Sequence, residues 1–389
     1  MGQRRDIPIG IIYSQAGAYE AIGRTALAGA RMAIDEINAD DSLAFRFVPH
    51  VRDPEGQLDL YARAAQELVR GEGCSHLIGT ITSSSRKEVL PVVERAGALL
   101  WYAFPYEGYE TSDNVLYLGA TANQHIVPMF DYVLPRFGLQ PYLIGSNYIW
   151  GWEINRIARE IVAAAGSEPV GESYLPLGDT DVDHLIAAVE ERRPDFVLSN
   201  LIGPSSYAFI RAYAELGRRN PDFAPDVRPI VSCNLTEADI DAIGPDAAGV
   251  LSTAVYFNGV EEGTTDSFQA ETSQYCRRPS QCFVGPYTAV HILARAIALA
   301  DGAAEPDEVR RLATQTVFKS LYGPICIDPK TGHSHLRPYF GRVGADGGIT
   351  VLHRAETPIA PDPYLVRHAS ERAAGPAKPA QPFHLKVVR

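Results

Sequence analysis

The chain has 389 residues, 46% hydrophobic and 21% charged, with 33 Gly and 28 Pro. At roughly 100–200 residues per domain it holds two or three domains, and this composition excludes a disordered chain, a collagen-like fibre and a disulfide-dense mini-domain. A formal net charge of -12, from 35 Lys+Arg against 47 Asp+Glu, argues against a dedicated nucleic-acid surface, and no run approaches the roughly 18–20 uninterrupted apolar residues of a membrane helix.

The N-terminal residues MGQRRDIPIGII run straight into a strand-like segment over Ile7–Tyr13 and lack an apolar stretch followed by a small-residue cleavage site. That places the protein in the cytoplasm, or in the periplasm if an export signal has been removed ahead of it. A polar turn follows, then a helix whose small apolar face recurs at Ala26, Ala30, Ala33 and Ile37. Phe45–Val51 is strand-like, the turn Asp53–Gly56 ends it, and Tyr61, Ala65 and Leu68 mark a second helix. Cys74–Ile78 is a third strand, closed by Gly79 and a Thr/Ser-rich loop. The next helix starts among Ser83, Ser84 and Ser85, good capping residues, and buries Val89, Val92 and Ala96. Ala98–Tyr102 and Val115–Leu118 complete the set, so parallel strands with helices on both faces are expected.

The pattern then restarts. A helix over Gln124–Phe137 precedes a strand at Tyr142–Gly145, a helix through Ile154, Ile157 and Ile161, and a strand at Glu172–Leu175. A helix carrying Val182, Leu185, Ile186 and Val189, the strand Phe196–Ser199, a helix through Tyr207–Leu216 and the strand Pro229–Cys233 follow. Helices are expected over Pro286–Ala300 and Asp307–Thr314. Antiparallel strands are expected at Ile325–Ile327, Leu336–Val343 and Ile349–His353, and a mobile tail over 369–389.

Enzyme signatures are absent: there is no G-x-S-x-G, no G-x-x-x-x-G-K-[ST], no G-x-G-x-x-G and no H-E-x-x-H. No nucleophile, base and orienting residue group together, so no catalytic residue, cofactor or metal is assigned. His333 and His335 alternate along one strand and read as polar strand positions. Five cysteines form no disulfide framework, although Cys276 and Cys282 in CRRPSQC would close a small loop in an oxidising compartment. The informative chemistry lies at the carboxyl ends of strands, which face ligands in open α/β sheets. Thr80, Thr82, Ser83, Ser84 and Ser85 place hydroxyls and free amides at a helix N-terminus, suited to an oxygen acceptor. Tyr102, Phe104, Pro105, Tyr106 and Glu107 follow at the next strand end. Asn147, Tyr148, Trp150 and Trp152 follow at the first strand end of the second half, and together these suggest aromatic walls with a few polar anchors.

The segment Leu77–Gly119, with SSSRKEVLPVVERAGALLWYAFPYEGYETSDNVLY, resembles the amide-binding regulators of the AmiC type and the related urea- and short-chain-amide-binding proteins. ATANQ at Ala120–Gln124, IGSNYIW at Ile144–Trp150, YLPLGDTD at Tyr174–Asp181, GPICIDPKTGHSH at Gly323–His335 and PIAPDPYLVRH at Pro358–His368 extend the resemblance from Ile7 to His368. It implies a type I periplasmic-binding-protein fold: two doubly wound parallel-sheet lobes joined by three crossovers near 119–123, 252–258 and 319–326, with the ligand in the cleft. The N-terminal lobe would be 1–121 plus 255–322, and the C-terminal lobe 122–254 plus 323–368. By motif, the ligand-binding residues would be Ser83, Tyr102, Phe104, Pro105, Tyr106, Tyr148, Trp150 and Asn234. Phe104 stands where relatives carry a small residue such as Thr, and Trp150 where they carry Tyr, which favours a more apolar or aromatic amide than acetamide.

The resemblance further implies a non-enzymatic sensor that closes on a small neutral amide and thereby releases an RNA-binding antiterminator of an amidase operon, itself touching no nucleic acid. The alternative is the solute-binding protein of an ABC importer for urea, amides or branched-chain amino acids, with a membrane permease as partner. A homodimer is left open.

Overall fold

A computed structural model describes residues 4–259 and 266–367. In chain order its main elements begin with β1 (Arg5–Ile12), α1 (Glu20–Ala39), β2 (Phe45–Arg52), α2 (Leu58–Gln66), β3 (His76–Gly79), α3 (Ser83–Ala96), β4 (Leu99–Tyr102) and β5 (Val115–Tyr117). Then come α4 (Ile126–Phe137), β6 (Tyr142–Ser146), α5 (Ile149–Ala164), β7 (Gly171–Leu175), α6 (Asp183–Arg192), β8 (Val197–Asn200), α7 (Pro204–Arg219), β9 (Ile230–Ser232), α8 (Glu237–Ile243) and β10 (Leu251–Ala254). The chain ends with α9 (Asp266–Thr272), α10 (Gln281–Leu299), α11 (Pro306–Gln315), β11 (Phe318–Ser320), β12 (Gly323–Ile325), β13 (Tyr339–Val343) and β14 (Ile349–Arg354).

These elements form two compact units. The first comprises the chain to Tyr106, Thr111–Gly119 and Asn258–His335; the second comprises Glu107–Glu110, Ala120–Phe257 and the chain from Leu336. In the first unit the strand order is β2-β1-β3-β4-β5, all parallel, so Ile9 stands between Pro49 and His76. Such a sheet is buried on both faces, which is why β3, β4 and β5 carry almost continuous apolar runs. The expected face of α1, Ala26, Ala30, Ala33 and Ile37, is buried. Its small residues admit α10 closely: a Cβ on Gly29 would lie 2.1 Å from the Phe283 carbonyl oxygen. Helix α10 is long and apolar enough to cross a membrane by length and composition, yet it is mostly buried within this unit as a core helix.

In the second unit the order is β14-β13-β10-β9-β8-β6-β7. The run from β10 to β7 is parallel, and β13 and β14 add an antiparallel edge. Leu185 and Val189 of α6, Phe209, Ile210 and Tyr213 of α7 and Ile240 of α8 close one face over Ile144, Val197 and Ile230.

Several expectations are corrected. Helix α10 starts at Gln281, ahead of Pro286, because the Ser280 hydroxyl caps it by accepting from the Cys282 N–H at 3.2 Å. The strand expected at Leu336 begins only at Tyr339, and that expected over Ile325–Ile327 ends at Ile325. Residues 323–335, expected in the C-terminal lobe, pack in the first unit. The reason lies in contacts with the first unit: β12 pairs with β11, the Tyr117 N–H donates to Gly332 O at 2.8 Å, the Ser334 N–H donates to Tyr117 O at 3.0 Å, and the His333 ring stacks on Tyr117 at 4.1 Å. Glu107–Glu110, expected with the first lobe, pack in the second unit. There the Tyr109 N–H reaches Pro363 O at 2.7 Å, and Gly108, at φ +96, leaves room for that carbonyl. The tail expected over 369–389 lies outside the described residues, as does His368.

One core histidine carries a pH dependence. His76 is buried, its Nε2 is 2.9 Å from Ala304 O, and its Nδ1 accepts from the Trp101 indole. A carbonyl only accepts, so Nε2 bears the single ring proton. Burial pushes the imidazole down to about 4 from an ordinary 6.5. The unfolded chain therefore binds this proton at higher pH than the folded one. The stability it contributes is full above pH 6.5 and is lost as pH falls toward 4, about 3 kcal/mol in all. Melting curves between pH 7 and 4 should show this loss, and His76→Gln should flatten it; an unchanged slope in the variant would refute the assignment.

Candidate functional site

In the first unit the carboxyl ends of β1, β3 and β4 bring together Tyr13, Ser14, the segment 80–83 and the segment 102–106. Gly79 closes β3 where a Cβ would meet Ile12 O at 2.7 Å. Thr82 then caps α3: its hydroxyl accepts from the Ser85 N–H, and Ser85 reaches back to the Thr82 N–H. The Ser85 hydroxyl is held within this loop, 2.9 Å from Thr80 Oγ1. Ser83, one residue into the helix and buried, accepts from Arg86 Nη2 at 3.3 Å.

The aromatic residues sort by what their polar ends do. Tyr102 donates to Ile81 O at 2.8 Å, and Tyr106 pairs with His333 Nε2 at 2.5 Å. Phe104 is buried with its ring 6.1 Å from Tyr13, and Pro105 is half-buried. The Tyr13 hydroxyl is buried without a hydrogen-bond partner, and burial raises its pKa well above the ordinary tyrosine value. Ser83, Tyr102 and Tyr106 all meet at Arg86, whose Cζ lies 4.3 Å from the Tyr102 ring and 4.4 Å from the Tyr106 ring.

In the second unit the same strand ends carry Ser146, Tyr148 and Trp150 after β6, Asn200 at the end of β8, and Ser232 to Asn234 after β9. Tyr148 is half-buried and precedes α5 without capping it through its side chain. Trp150, in the first turn, is buried with its ring 5.5 Å from that of His125, and its indole N–H has no hydrogen-bond partner. Asn200 donates through Nδ2 to Asn155 Oδ1 at 2.9 Å, which leaves Asn200 Oδ1 buried and unpartnered. Asn234 is committed within the second unit: Nδ2 donates to Leu201 O, just past β8, at 3.0 Å, and Oδ1 accepts from the Ser232 hydroxyl at 3.3 Å. The nearby carboxylate Asp239 is committed too, accepting from the Thr236 N–H and hydroxyl and from Tyr207, while burial raises its pKa.

Of the expected residues, the structure therefore gathers Ser83, Tyr102 and Tyr106 around one arginine, sets Phe104 against Tyr13, and leaves Trp150 with a buried donor. It spends Asn234 on a turn. Reading the sequence missed Tyr13, Arg86, Asn155 and Asn200. Asn200 and Tyr13 carry a signal, since both stand at strand ends; Arg86 and Asn155, inside helices, look like ordinary solvated positions. Among the described residues no group of three or more His, Cys, Asp or Glu is arranged to hold a metal ion.

A family model described as periplasmic binding protein domain matches residues 7–370. The chain belongs to the periplasmic binding protein family. Its fold is the type I α/β fold of that family, which binds ligands without catalysis. A Leu/Ile/Val-binding protein homolog of Brucella abortus is 24% identical over 358 residues, covering 88% of this chain and 89% of the relative. The Leu/Ile/Val-binding protein BraC3 of Rhizobium johnstonii is 25% identical over 313 residues, covering 78% and 82%. Among solved structures, an ABC-transporter solute-binding protein of R. palustris in complex with 4-hydroxybenzoate has a TM-score of 0.80 at 22% identity, covering 93% of this chain and 100% of that one. LivJ of Streptococcus pneumoniae in complex with isoleucine has a TM-score of 0.77 at 18% identity, covering 90% and 99%. These findings correct the cytoplasmic placement expected above: the family is that of periplasmic binding proteins. That placement rested on the first residues alone, which carry no information on compartment once a chain has been processed.

A buried N–H without an acceptor costs about 1–3 kcal/mol, whereas an apolar ring of similar shape has nothing to satisfy. Trp150→Phe should accordingly leave the melting midpoint of the free protein unchanged or slightly raised. A loss above about 1 kcal/mol in chemical denaturation would mean that the indole is partnered in the free state.

Proposed function

We propose that this protein is the periplasmic solute-binding component of an ABC importer and that its solute is a small neutral carboxamide or urea. The observation that carries the reading is the character of the polar groups left unsatisfied at the strand ends. Among the buried side-chain groups without a partner in the second unit are the donor Trp150 Nε1 and the acceptor Asn200 Oδ1. In the first unit the strand ends carry aromatic side chains, and Ser83 there accepts from Arg86. An amide or urea presents both a carbonyl acceptor and N–H donors, so it satisfies such a mixed set without a buried counter-charge. A free α-amino acid also brings an ammonium group, and Asp239 is already engaged by three donors. The relatives that carry Leu/Ile/Val-binding names and the neighbours described as ABC-transporter components support the importer role.

The regulator reading keeps one observation, the resemblance of Leu77–Gly119 to the AmiC-type proteins. Its partner would be an RNA-binding antiterminator instead of a permease. Uptake separates the two: deleting the gene should abolish concentrative uptake of a labelled amide in the importer reading, and should leave uptake intact while changing amidase expression in the other.

Ligand specificity is tested on refolded, ligand-free protein by thermal shift with urea, propionamide, benzamide, 4-hydroxybenzoate and isoleucine. Urea or the amides should raise the midpoint, by about 2.7 kcal/mol of stabilisation at 100 times the dissociation constant. Trp150→Phe should weaken that binding about tenfold. A shift with isoleucine alone would overturn the amide reading and leave a branched-chain amino acid carrier.

A further inference from the structure

We propose that Tyr174 and Asn155 fix which end of the Asn200 amide is presented, so that the second unit reads an N–H donor of the solute. This rests on the solute-binding reading above and adds two positioning residues to it. The placement follows from sheet register. Gly145 pairs with Tyr174 on one side and with Asn200 on the other, so the three residues share a face of the sheet. Glycine has no side chain to fill that line, and helix α5 comes down on it: a Cβ on Gly145 would lie 3.0 Å from the Gly151 Cα. Asn155, one turn further along α5, is buried and accepts from Asn200, whose Nδ2 reaches Asn155 Oδ1 at 2.9 Å. Asn200 is equally buried, and its Oδ1 has no partner.

The direction of this line is set at its outer end. Glu172 stands two residues before Tyr174 on the edge strand β7 and shares its face, and Arg159 stands one turn beyond Asn155 on α5. Arg159 Nη1 donates to both Glu172 oxygens, and the Tyr174 hydroxyl donates to Glu172 Oε1. A carboxylate only accepts, so the phenol's one hydrogen is spent there and the Tyr174 oxygen keeps only lone pairs to offer. Burial and the Glu172 bond raise the Tyr174 pKa, while Asn155 and Arg159 lower it, as donors to that oxygen do. Asn155 Nδ2 has no partner within hydrogen-bond distance, so the oxygen orients it through the amide dipole. With Nδ2 drawn toward Tyr174, Asn155 Oδ1 faces Asn200. An Asn200 amide turned over would set its own oxygen against that one. Asn200 therefore gives its NH2 group to Asn155 and keeps Oδ1 for a donor, which an amide N–H supplies and a ketone does not.

The test measures affinity by calorimetry for benzamide against acetophenone and for urea against acetone, pairs in which CH3 replaces NH2 and the carbonyl is kept. The parent should prefer the nitrogen compound about thirtyfold, the effect of leaving one buried acceptor unpaired. Tyr174→Phe and Glu172→Gln, both on the edge strand and outside the buried pair, should cut that preference about fivefold by freeing the amides to turn over. Affinity for the ketone should rise in both, because a turned Asn200 offers it an N–H; a merely structural defect would weaken ketone and amide alike. Asn155→Leu should cut the preference at least as far, and adding Tyr174→Phe to it should change nothing more. An unaltered preference in folded Tyr174→Phe and Glu172→Gln, or equal losses for both members of a pair, would overturn the proposal alone. These two variants decide it even if Asn155→Leu unfolds. Failure of benzamide and urea alike to bind the parent would overturn the amide reading and this proposal with it.

Discussion

Everything functional in this molecule follows from burying parallel sheets on both faces. Strands such as β3 and β4 have no solvent face, so their side chains must be apolar or partnered along their length. Polar chemistry is confined to the ends, where the chain leaves the sheet and helix N-termini expose unpaired N–H groups. The apolar interior demands the close approach of α1 and α10 at Gly29, and the same exclusion of polar groups from the sheet concentrates hydroxyls and aromatics at Ser83, Tyr102 and Trp150.

At those ends, hydrogen-bond saturation separates structural residues from binding candidates. Asn234, Ser85, Tyr102 and Asp239 look equally suited to a ligand in a list of polar residues, yet each is tied to named partners within its own unit. Trp150 Nε1 and Asn200 Oδ1 are buried without partners. A folded chain retains such groups at a cost in stability, and a bound solute that supplies the missing partners recovers it. The recovered desolvation cost is available only to a molecule of matching donor and acceptor pattern, which makes selectivity and instability of the free state two aspects of one arrangement.

Much of the fold was legible because its signals are local. The face Ala26, Ala30, Ala33, Ile37 and the alternation of short apolar runs with amphipathic segments depend on neighbours a few residues away. The path of 323–335 was not legible, because His333 is held in the first unit by Tyr117 and Tyr106, residues far away in sequence whose stacking leaves no periodic trace. The candidate site divides the same way. Ser83, Tyr102, Phe104 and Trp150 were expected at strand ends because strand-end loops are recognisable. Arg86 was missed because a charged residue in SSSRKE reads as solvated, and only the three rings around it show that it is buried. Asn234 was included because a strand-end amide looks like a ligand group, and its commitment to Leu201 O is a tertiary fact.

A neutral polar set has a further consequence for discrimination. Coulombic anchoring of an ammonium or carboxylate acts over several ångströms and tolerates variation in the rest of the ligand, whereas hydrogen bonds from an indole, an amide and a hydroxyl weaken steeply with distance and angle. A carrier that relies on them must hold its groups rigidly, as the Asn155 bond holds Asn200. One misplaced methylene in such a ligand displaces every directional contact at once. In such a design selectivity resides less in the residues that touch the solute than in the buried partners that orient them.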